Sequence, residues 1–342
     1  MGMSKLLNIA YKRVKIVSSG LVIILCPLLL ISHSGDTEGG RNQKQVLVQD
    51  LVIGQESGDE KYVFAGIESI GLDDKENIYI LDKKNLRVQV FNGAGKYINS
   101  AILTKGQGPL EVSAIAAMTV TGKGIICILD SNGKKIVTVD TINNVKKSFI
   151  LQYRAINIVR LSDNKIMIIG FFKNHIFHVY DSEGTYKESF GDPFSVPKRY
   201  SQYANFAQIR MPIRADYSPS ENVLFIVNNY EYKIAIYKET NLKTIKSYKS
   251  DFFKPLEIIS HGEGRIGMIF PWVSVMQCNK RIYVSLDDYN EKTPNRIEVY
   301  ENDKHEGSIN IIGFVYAIDK GGRIYCSEAI DVPKMVRYSV KQ

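Results

Sequence analysis

The sequence predicts an all-β protein: a six-bladed β-propeller of four-stranded antiparallel blades, with an N-terminal strand closing the last blade. Three observations lead there. A cluster of short strands comes round six times, at spacings of roughly 40 to 60 residues, the period of propellers and arrays. The second strand of each cluster is almost continuously apolar (Ile-Tyr-Ile-Leu, Ile-Met-Ile-Ile, Val-Leu-Phe-Ile-Val, Arg-Ile-Tyr-Val). A strand buried on one face would alternate, so these runs imply burial on both faces. Helix signals are nearly absent, because Gly, Asn and Asp punctuate the chain too often for a 3.6-residue apolar stripe to persist.

The first element lies ahead of the repeats. Basic Lys5, Lys12, Arg13 and Lys15 precede an apolar run from Ile16 to Ile31, broken by Ser18-Ser19-Gly20 and Pro27. Small Ser32 and Ser34 then suit cleavage after Ser34, so residues 1–34 read as a signal peptide or, uncleaved, as an N-terminal membrane anchor. Residues 35–45 form a linker and 46–342 the propeller. Cys26 follows Ile24-Leu25 rather than the small residues that lipidation requires, so it is not expected to be lipidated. The chain has a net charge of +8 from 44 basic and 36 acidic residues. Four of the basic residues and none of the acidic ones fall in 1–34, which leaves +4 on the remainder. No dense Lys/Arg stripe remains for nucleic acid. Cys127, Cys278 and Cys326 sit in or beside apolar strands without Cys-x-x-Cys spacing and read as buried free thiols.

The units follow in order. The first has Gly71 to Asp73, Ile78 to Asp82, Arg87 to Phe91 and Lys96 to Ile98. The second has Met118 to Val120, Ile125 to Asp130, Lys135 to Asp140 and Val145 to Leu151. The third has Ile156 to Leu161, Lys165 to Phe171, Ile176 to Tyr180 and Tyr186 to Phe190. The fourth has Ala215 to Tyr217, Val223 to Asn228, Lys233 to Tyr237 and Leu242 to Tyr248. The fifth has Val273 to Gln277, Arg281 to Asp287, Arg296 to Tyr300 and Glu306 to Ile311. The sixth stops at three: Val315 to Asp319, Arg323 to Glu328 and Met335 to Val340. Val46-Leu47-Val48 and Leu51-Val52-Ile53 have strand composition and no partner, so they are expected to supply the missing outer strand, a clasp that removes an open edge. Third strands alternate better, Val88 and Val90 against Arg87 and Gln89, which suggests a position farther out.

Asp82-x-x-Asn85-x-Arg87-Val88-Gln89-Val90-Phe91 followed by Gly95-Lys96-Tyr97 resembles an NHL-type propeller repeat. The loop Gly106-Gln107-Gly108-Pro109-Leu110-Glu111-Val112 is similar to the Gly-x-Gly-Pro-Gly-Glu-Phe/Tyr element of a family of exported six-bladed propellers of Gram-negative bacteria. Leu110 stands for its third glycine and Val112 for its aromatic. The close resemblance covers residues 67 to 112. It implies a TolB/NHL-like propeller outside the cytoplasm, periplasmic or associated with the cell envelope, and implies little about chemistry.

Catalytic signatures are sparse. His175-x-x-His178 would straddle the two faces of a strand and make a poor zinc pair. No Gly-x-Ser-x-Gly elbow or phosphate loop occurs. Gly262 to Gly267 spells a loose Gly-x-Gly-x-x-Gly without βαβ context, so it reads as a loop. One recurrence stands out. A polar residue ends the second strand in five units, Asp82, Asp130, Asn228, Asp287 and Glu328, with Gly170 in the third. These would ring one face. Either they cap their turns, or they converge on a hard cation such as calcium, as in propeller lactonases. Two long connections, Gly191 to Ile213 and Ser250 to Pro271, are rich in aromatic residues and arginine, including Arg199, Tyr200 and Arg210, with Trp272 just beyond. They suit a packed cover or a binding rim.

The expected function is therefore a binding module without a cofactor that recognises a protein, peptide or glycan on its loop-bearing face. Membrane contact would come only through the N-terminal segment. The alternatives are a calcium-dependent lactonase or hydrolase, or an NHL-type lyase, with its site at the channel mouth, and a structural component of an envelope complex.

Overall fold

The computed structural model describes residues 46–130, 132–142, 145–162, 164–212, 214–219, 221–260, 266–271, 273–278, 280–286, 295–328 and 332–341. The expected export segment and linker lie outside them. Six four-stranded antiparallel sheets form the blades. Blade 1 runs Ile67–Leu72, Ile78–Asp82, Arg87–Phe91 and Tyr97–Ile102; blade 2 runs Ile115–Val120, Ile125–Asp130, Lys135–Asp140 and Val145–Ile150. Blade 3 has Ala155–Arg160, Lys165–Phe172, His175–Asp181 and Tyr186–Phe190; blade 4 has Ala215–Ser218, Val223–Val227, Lys233–Lys238 and Asn241–Ser247. Blade 5 has Val273–Cys278, Arg281–Leu286, Asn295–Glu301 and Lys304–Ile311. Blade 6 has Phe314–Ile318, Ile324–Glu328 and Lys334–Lys341, completed by Val46–Ile53. The first strand of each blade touches that of the next, and blade 6 returns to blade 1, so the first strands surround a central channel.

The apolar second strands explain this arrangement. Successive side chains on a strand point to opposite faces. Tyr79 and Leu81 join Ile126 and Ile128 of blade 2 in one cluster, whereas Ile78 and Ile80 join Tyr325 and Met335 of blade 6 in another. Cys127 and Leu129 turn instead to Ile166 and Ile168 of blade 3. Each blade interface thus has its own apolar core, and no second-strand position can be polar without facing one of them. Cys127, Cys278 and Cys326 are buried free thiols, as the sequence suggests.

The third strands lie deeper than their alternation implies. Gln89 is 1% exposed. Its amide nitrogen donates to the Lys61 carbonyl at 2.6 Å, which ties a polar side chain inside the body, while its Oε1 is buried without a partner. The change to one solvent-facing side comes at the fourth strand, as in Val145–Ile150. The long connections also hold more structure than a loop. The first contains the 3₁₀ turns Lys198–Tyr203 and Ala207–Arg210, and the second contains the hairpin Glu257–Ser260 with Ile266–Ile269.

Ring closure is by the N-terminal strand, antiparallel to Lys334–Lys341, from Val46 opposite Lys341 to Ile53 opposite Met335. A bulge between Gln49 and Leu51 breaks the register at Asp50. Such a bulge re-aims a side chain. Here the Asp50 carboxylate receives Arg337 Nε at 2.6 Å, while Arg337 Nη1 donates to the Gly93 carbonyl of blade 1 at 2.7 Å. Burial alone would raise the Asp50 pKa; Ser339 and Arg337 outweigh it and hold the carboxyl below its ordinary value.

In blade 3, His178 is fully buried. Its Nε2 lies 2.9 Å from the Gly170 carbonyl and its Nδ1 lies 2.6 Å from Ser189 Oγ. A carbonyl only accepts, so Nε2 carries the proton and Nδ1 accepts from the serine. Burial outweighs the Gly170 carbonyl and moves the imidazole pKa below 6.5.

Deleting residues 41–54 leaves blade 6 with three strands and an open edge. The melting temperature should fall by at least about 10 °C, since several kcal/mol of pairing and packing are lost from a large domain; an unchanged melting curve would refute the clasp. The native state resists protonating His178 more than the unfolded chain does. Its contribution is present above pH 6.5 and is lost as pH falls below that value. Urea midpoints should drop between pH 7.5 and 5.5 in the wild type and less steeply in His178→Gln; equal slopes would exclude His178 as the cause.

Candidate functional site

The polar ends of the second strands are spent on architecture. Asp82 is fully buried and accepts from the amides of Ala65 and Gly66, each at 3.2 Å, from Asn85 Nδ2 at 2.8 Å and from Arg87 Nη2 at 3.2 Å. One carboxylate thus ties the connection from blade 6 to the turn of blade 1. The Asn85 and Arg87 of the NHL-like repeat exist to serve it. Asp130 repeats the device, taking the Ser113 amide at 2.9 Å and the Lys135 ammonium at 3.5 Å. Burial would raise the Asp130 pKa, but the Ser113 hydroxyl and amide, the Asn132 amide and Lys135 together lower it. Glu328 accepts from Tyr338 Oη at 2.7 Å and pairs with Lys334 at 3.3 Å. Asn228 caps its own turn through the Tyr230 amide at 2.8 Å. Asp287 lies outside the described residues. Among the described residues, no three of His, Cys, Asp or Glu come together as a metal site.

Blade 3 breaks the pattern for a steric reason. A Cβ on Gly170 would stand 2.7 Å from the Tyr153 ring, which fills the space where a side chain would turn back to the connection. Tyr153 packs against His178 with ring centroids 4.4 Å apart.

The two long connections form one cap. Ile209, Tyr230 and Leu256 are buried together, with Phe194, Val196, Tyr200 and Tyr203 of the first connection and Ile258, Met268 and Phe270 of the second packed around them. Tyr200 stacks on Tyr230 at 5.4 Å and donates to the Leu256 carbonyl, and Tyr230 Oη donates to the Ile209 carbonyl at 2.5 Å. Asn229, beside the polar strand end of blade 4, reaches the Met211 carbonyl at 2.7 Å. The cap is thus bolted to the second turn of blade 4. Arg199 and Arg210 remain exposed on it. The Arg199 guanidinium lies 4.7 Å from the Tyr200 ring centroid, and that of Arg210 lies 5.9 Å from the ring of Phe171. Structure therefore brings Arg199, Tyr200 and Arg210 into one region. Trp272 lies outside the described residues, as do Gly262 to Arg265 of the Gly-x-Gly-x-x-Gly stretch.

Some arrangements escape a reading of the sequence by strand pattern. Asp73 receives the Asn77 amide at 2.8 Å and Tyr79 Oη at 3.2 Å, and Asp319 likewise receives the Arg323 amide at 3.0 Å and Tyr325 Oη at 2.9 Å. The shared Asp-x5-Tyr spacing was the available signal. In Gly106 to Glu111 the acidic side chain folds back onto the Gly108 amide at 2.9 Å, and a Cβ at Gly106 would collide with it. That contact explains the glycine, while Leu110 in place of a third glycine is merely exposed.

Among the partly exposed first-strand residues, Ser69, Gly71, Ala117, Thr119 and Ala317 are small, whereas blade 3 carries Asn157 and blade 4 carries Asp216, with Arg214 just ahead of its strand. Asp216 accepts the Val275 amide of blade 5 at 2.9 Å. Desolvation raises its pKa despite Arg214 and that amide. A mid-strand acid on an innermost strand was the signal for it.

Asp82→Asn keeps the shape but removes the charge that Arg87 and two amides share. We expect a loss of about 1.5–3 kcal/mol in chemical denaturation, the scale of hydrogen bonds to a charged group. A loss below about 0.5 kcal/mol would contradict the structural role.

Residues 58–147 match the profile of a family, DUF5128, described as 6-bladed beta-propeller. This stretch contains both the NHL-like repeat and the Gly106 to Val112 element. A comparison with curated proteins finds no match. Among solved structures, a protein from Bacteroides fragilis assigned as exported is similar, with a TM-score of 0.57 at 12% identity over 90% of this chain and 98% of that one. A member of the DUF4221 family from Bacteroides vulgatus gives 0.57 at 12% identity, over 88% of this chain and 100% of that one. A catalytically inactive virginiamycin B lyase from Staphylococcus aureus, solved with quinupristin, gives 0.52 at 13% identity, over 86% and 99%. At such identities the likeness shows the fold alone. With the profile match and the six closed blades, it establishes the chain as a six-bladed β-propeller.

Proposed function

We propose that this propeller is an exported binding module that recognises a protein, peptide or glycan on its capped face. The observation that carries the reading is the cap: two connections some fifty residues apart fold onto each other and onto blade 4, and hold arginine and aromatic side chains at the surface. Binding residues concentrate on loops over a rigid scaffold, and a packed cap loses little entropy on binding. The strand-end carboxylates Asp82 and Asp130, by contrast, already have their donors. Export is supported by the basic and apolar order of residues 1–34 and by the likeness to a Bacteroides protein assigned as exported.

A second reading, an enzyme at the channel mouth, is favoured by Asp216. Partly buried acids with raised pKa mark catalytic sites more often than surfaces do. A calcium-dependent version predicts a rise in melting temperature at millimolar calcium that Asp216→Asn removes, since ligands of the native state stabilise it.

Glycan and peptide arrays probed with wild type and with the pair Tyr200→Ala/Tyr230→Ala test the first reading. The pair unbolts the cap from blade 4. Bound ligands should be lost while circular dichroism keeps the β-sheet spectrum. Ligands retained by the folded pair would place binding elsewhere.

A further inference from the structure

We propose that the surface over blades 3 and 4 binds an anionic polysaccharide, a sugar chain bearing carboxylate or sulfate groups. The proposal deepens the binding-module reading and rests on it. Elsewhere several cations, and most of all the arginines Arg87, Arg160, Arg281, Arg296, Arg323 and Arg337, pair with carboxylates. Lys83 meets Glu68 at 2.8 Å, Arg160 meets Asp74 at 2.7 Å, Arg281 meets Glu301 at 3.1 Å and Arg323 meets Glu76 at 2.7 Å. The two arginines of the cap differ from these. Among the described residues, Arg199, Arg210 and Lys173 make no ion pair with a carboxylate. Each cation lies over an aromatic ring instead: Arg199 over Tyr200 at 4.7 Å, Arg210 over Phe171 at 5.9 Å and Lys173 over Phe172 at 5.2 Å. The first connection, Gly191 to Ile213, carries Lys198, Arg199 and Arg210 against Asp192 alone, while the second, Ser250 to Pro271, carries Lys254 and Arg265 against Asp251, Glu257 and Glu263, so the positive charge belongs to the first connection.

These groups belong to one surface. Tyr200 stacks on Tyr230, whose hydroxyl holds the carbonyl next to Arg210, and Arg210 covers Phe171 in the turn of blade 3. Phe171 is 40% and Phe206 42% exposed, so apolar ring area accompanies the charge. A guanidinium resting on a ring keeps its planar edge for a carboxylate or sulfate. Exposed rings beside it offer flat faces to the C–H surface of a sugar.

The backbone of the cap argues against an extended peptide. Peptides docked as strands are held largely by main-chain hydrogen bonds. Here the amides of Phe194, Tyr200, Ala204, Phe206, Ile209 and Met211 are already paired within the cap. What remains for recognition is side-chain charge and ring surface, which suits a polymer recognised by its anionic groups.

Titration calorimetry with polygalacturonate and with heparin oligosaccharides, against neutral dextran, tests the site. Wild type should bind one of the charged chains and not dextran, and binding should weaken at least about tenfold from 50 to 300 mM salt as screening rises. Arg199→Ala/Arg210→Ala should weaken binding at least about tenfold, the scale of a lost anchor, with a melting temperature close to wild type. The two lysine replacements should fall between, because they keep charge without the planar edge. Polygalacturonate separates carboxylate from sulfate recognition by heparin. No binding to either chain, equal binding of dextran, or wild-type affinity in the double alanine variant would overturn the proposal. So would equal binding of single-stranded DNA, which would reduce the effect to unspecific charge, or preference for polyglutamate, which would make the ligand a peptide. If array ligands depend on the bolted cap but not on Arg199 and Arg210, the binding-module reading stands and this inference falls. If polysaccharide binding survives Tyr200→Ala/Tyr230→Ala, the charge recognition stands and the cap reading falls.

Discussion

Closure of the ring by Val46–Ile53 is the constraint on which the remaining structure depends. Each blade buries both faces against its neighbours, so a blade missing a neighbour would expose an apolar cluster. Joining the first strand of the chain to the last makes the six interfaces equivalent and removes an open edge. The contact that fixes this joint is polar. The bulge at Asp50 lets its carboxylate meet Arg337, which in turn holds Gly93 in blade 1, so one guanidinium links the clasp, the last blade and the first. Apolar packing drives closure, and the Asp50–Arg337 pair sets its register, since a slip of one residue would move both groups to opposite faces.

The same economy governs the turns. A carboxylate at the end of a second strand captures amides of the connection arriving from the previous blade: Ala65 and Gly66 for Asp82, Ser113 for Asp130. In both cases the register of the first strand then shifts near its start, between Ile67 and Ser69 and between Ile115 and Ala117. Blades 4 and 5, entered by the long connections, show no such shift in their first strands. Where the connection is long, its own packing guides the chain into the blade. Asn229 holding Met211 takes over the task that Asp82 and Asp130 perform elsewhere.

Much of the fold is legible in the sequence because its causes are local. The second strands announce two-sided burial by lacking alternation, and Val46 to Ile53 announces a missing partner by lacking a hairpin. Gln89 misleads because polarity in a strand usually means solvent, while here the Lys61 carbonyl substitutes for water. The cap is half legible. Its aromatic and arginine content stands out, but contacts such as Tyr200 with Leu256 join segments with no common period, so the sequence cannot pair them. The strand-end acids are legible as a recurrence, and their use is not, because the amides they capture belong to the preceding connection.

The irregular features gather on blades 3 and 4. Gly170 stands there in place of a strand-end polar residue, Asn157 and Asp216 lie on the first strands with Arg214 just ahead of Asp216, and the cap covers the turn of blade 4. A repeat that is stable through identical interfaces gains nothing from such departures in any single blade. Each introduces a polar group or a cation that must be satisfied by a special partner. Their concentration over one third of the ring, beside four blades that keep the pattern more closely, is what a scaffold with a site on one sector requires. The regular blades hold the sector rigid, and the sector is free to vary in chemistry because its neighbours supply the closure.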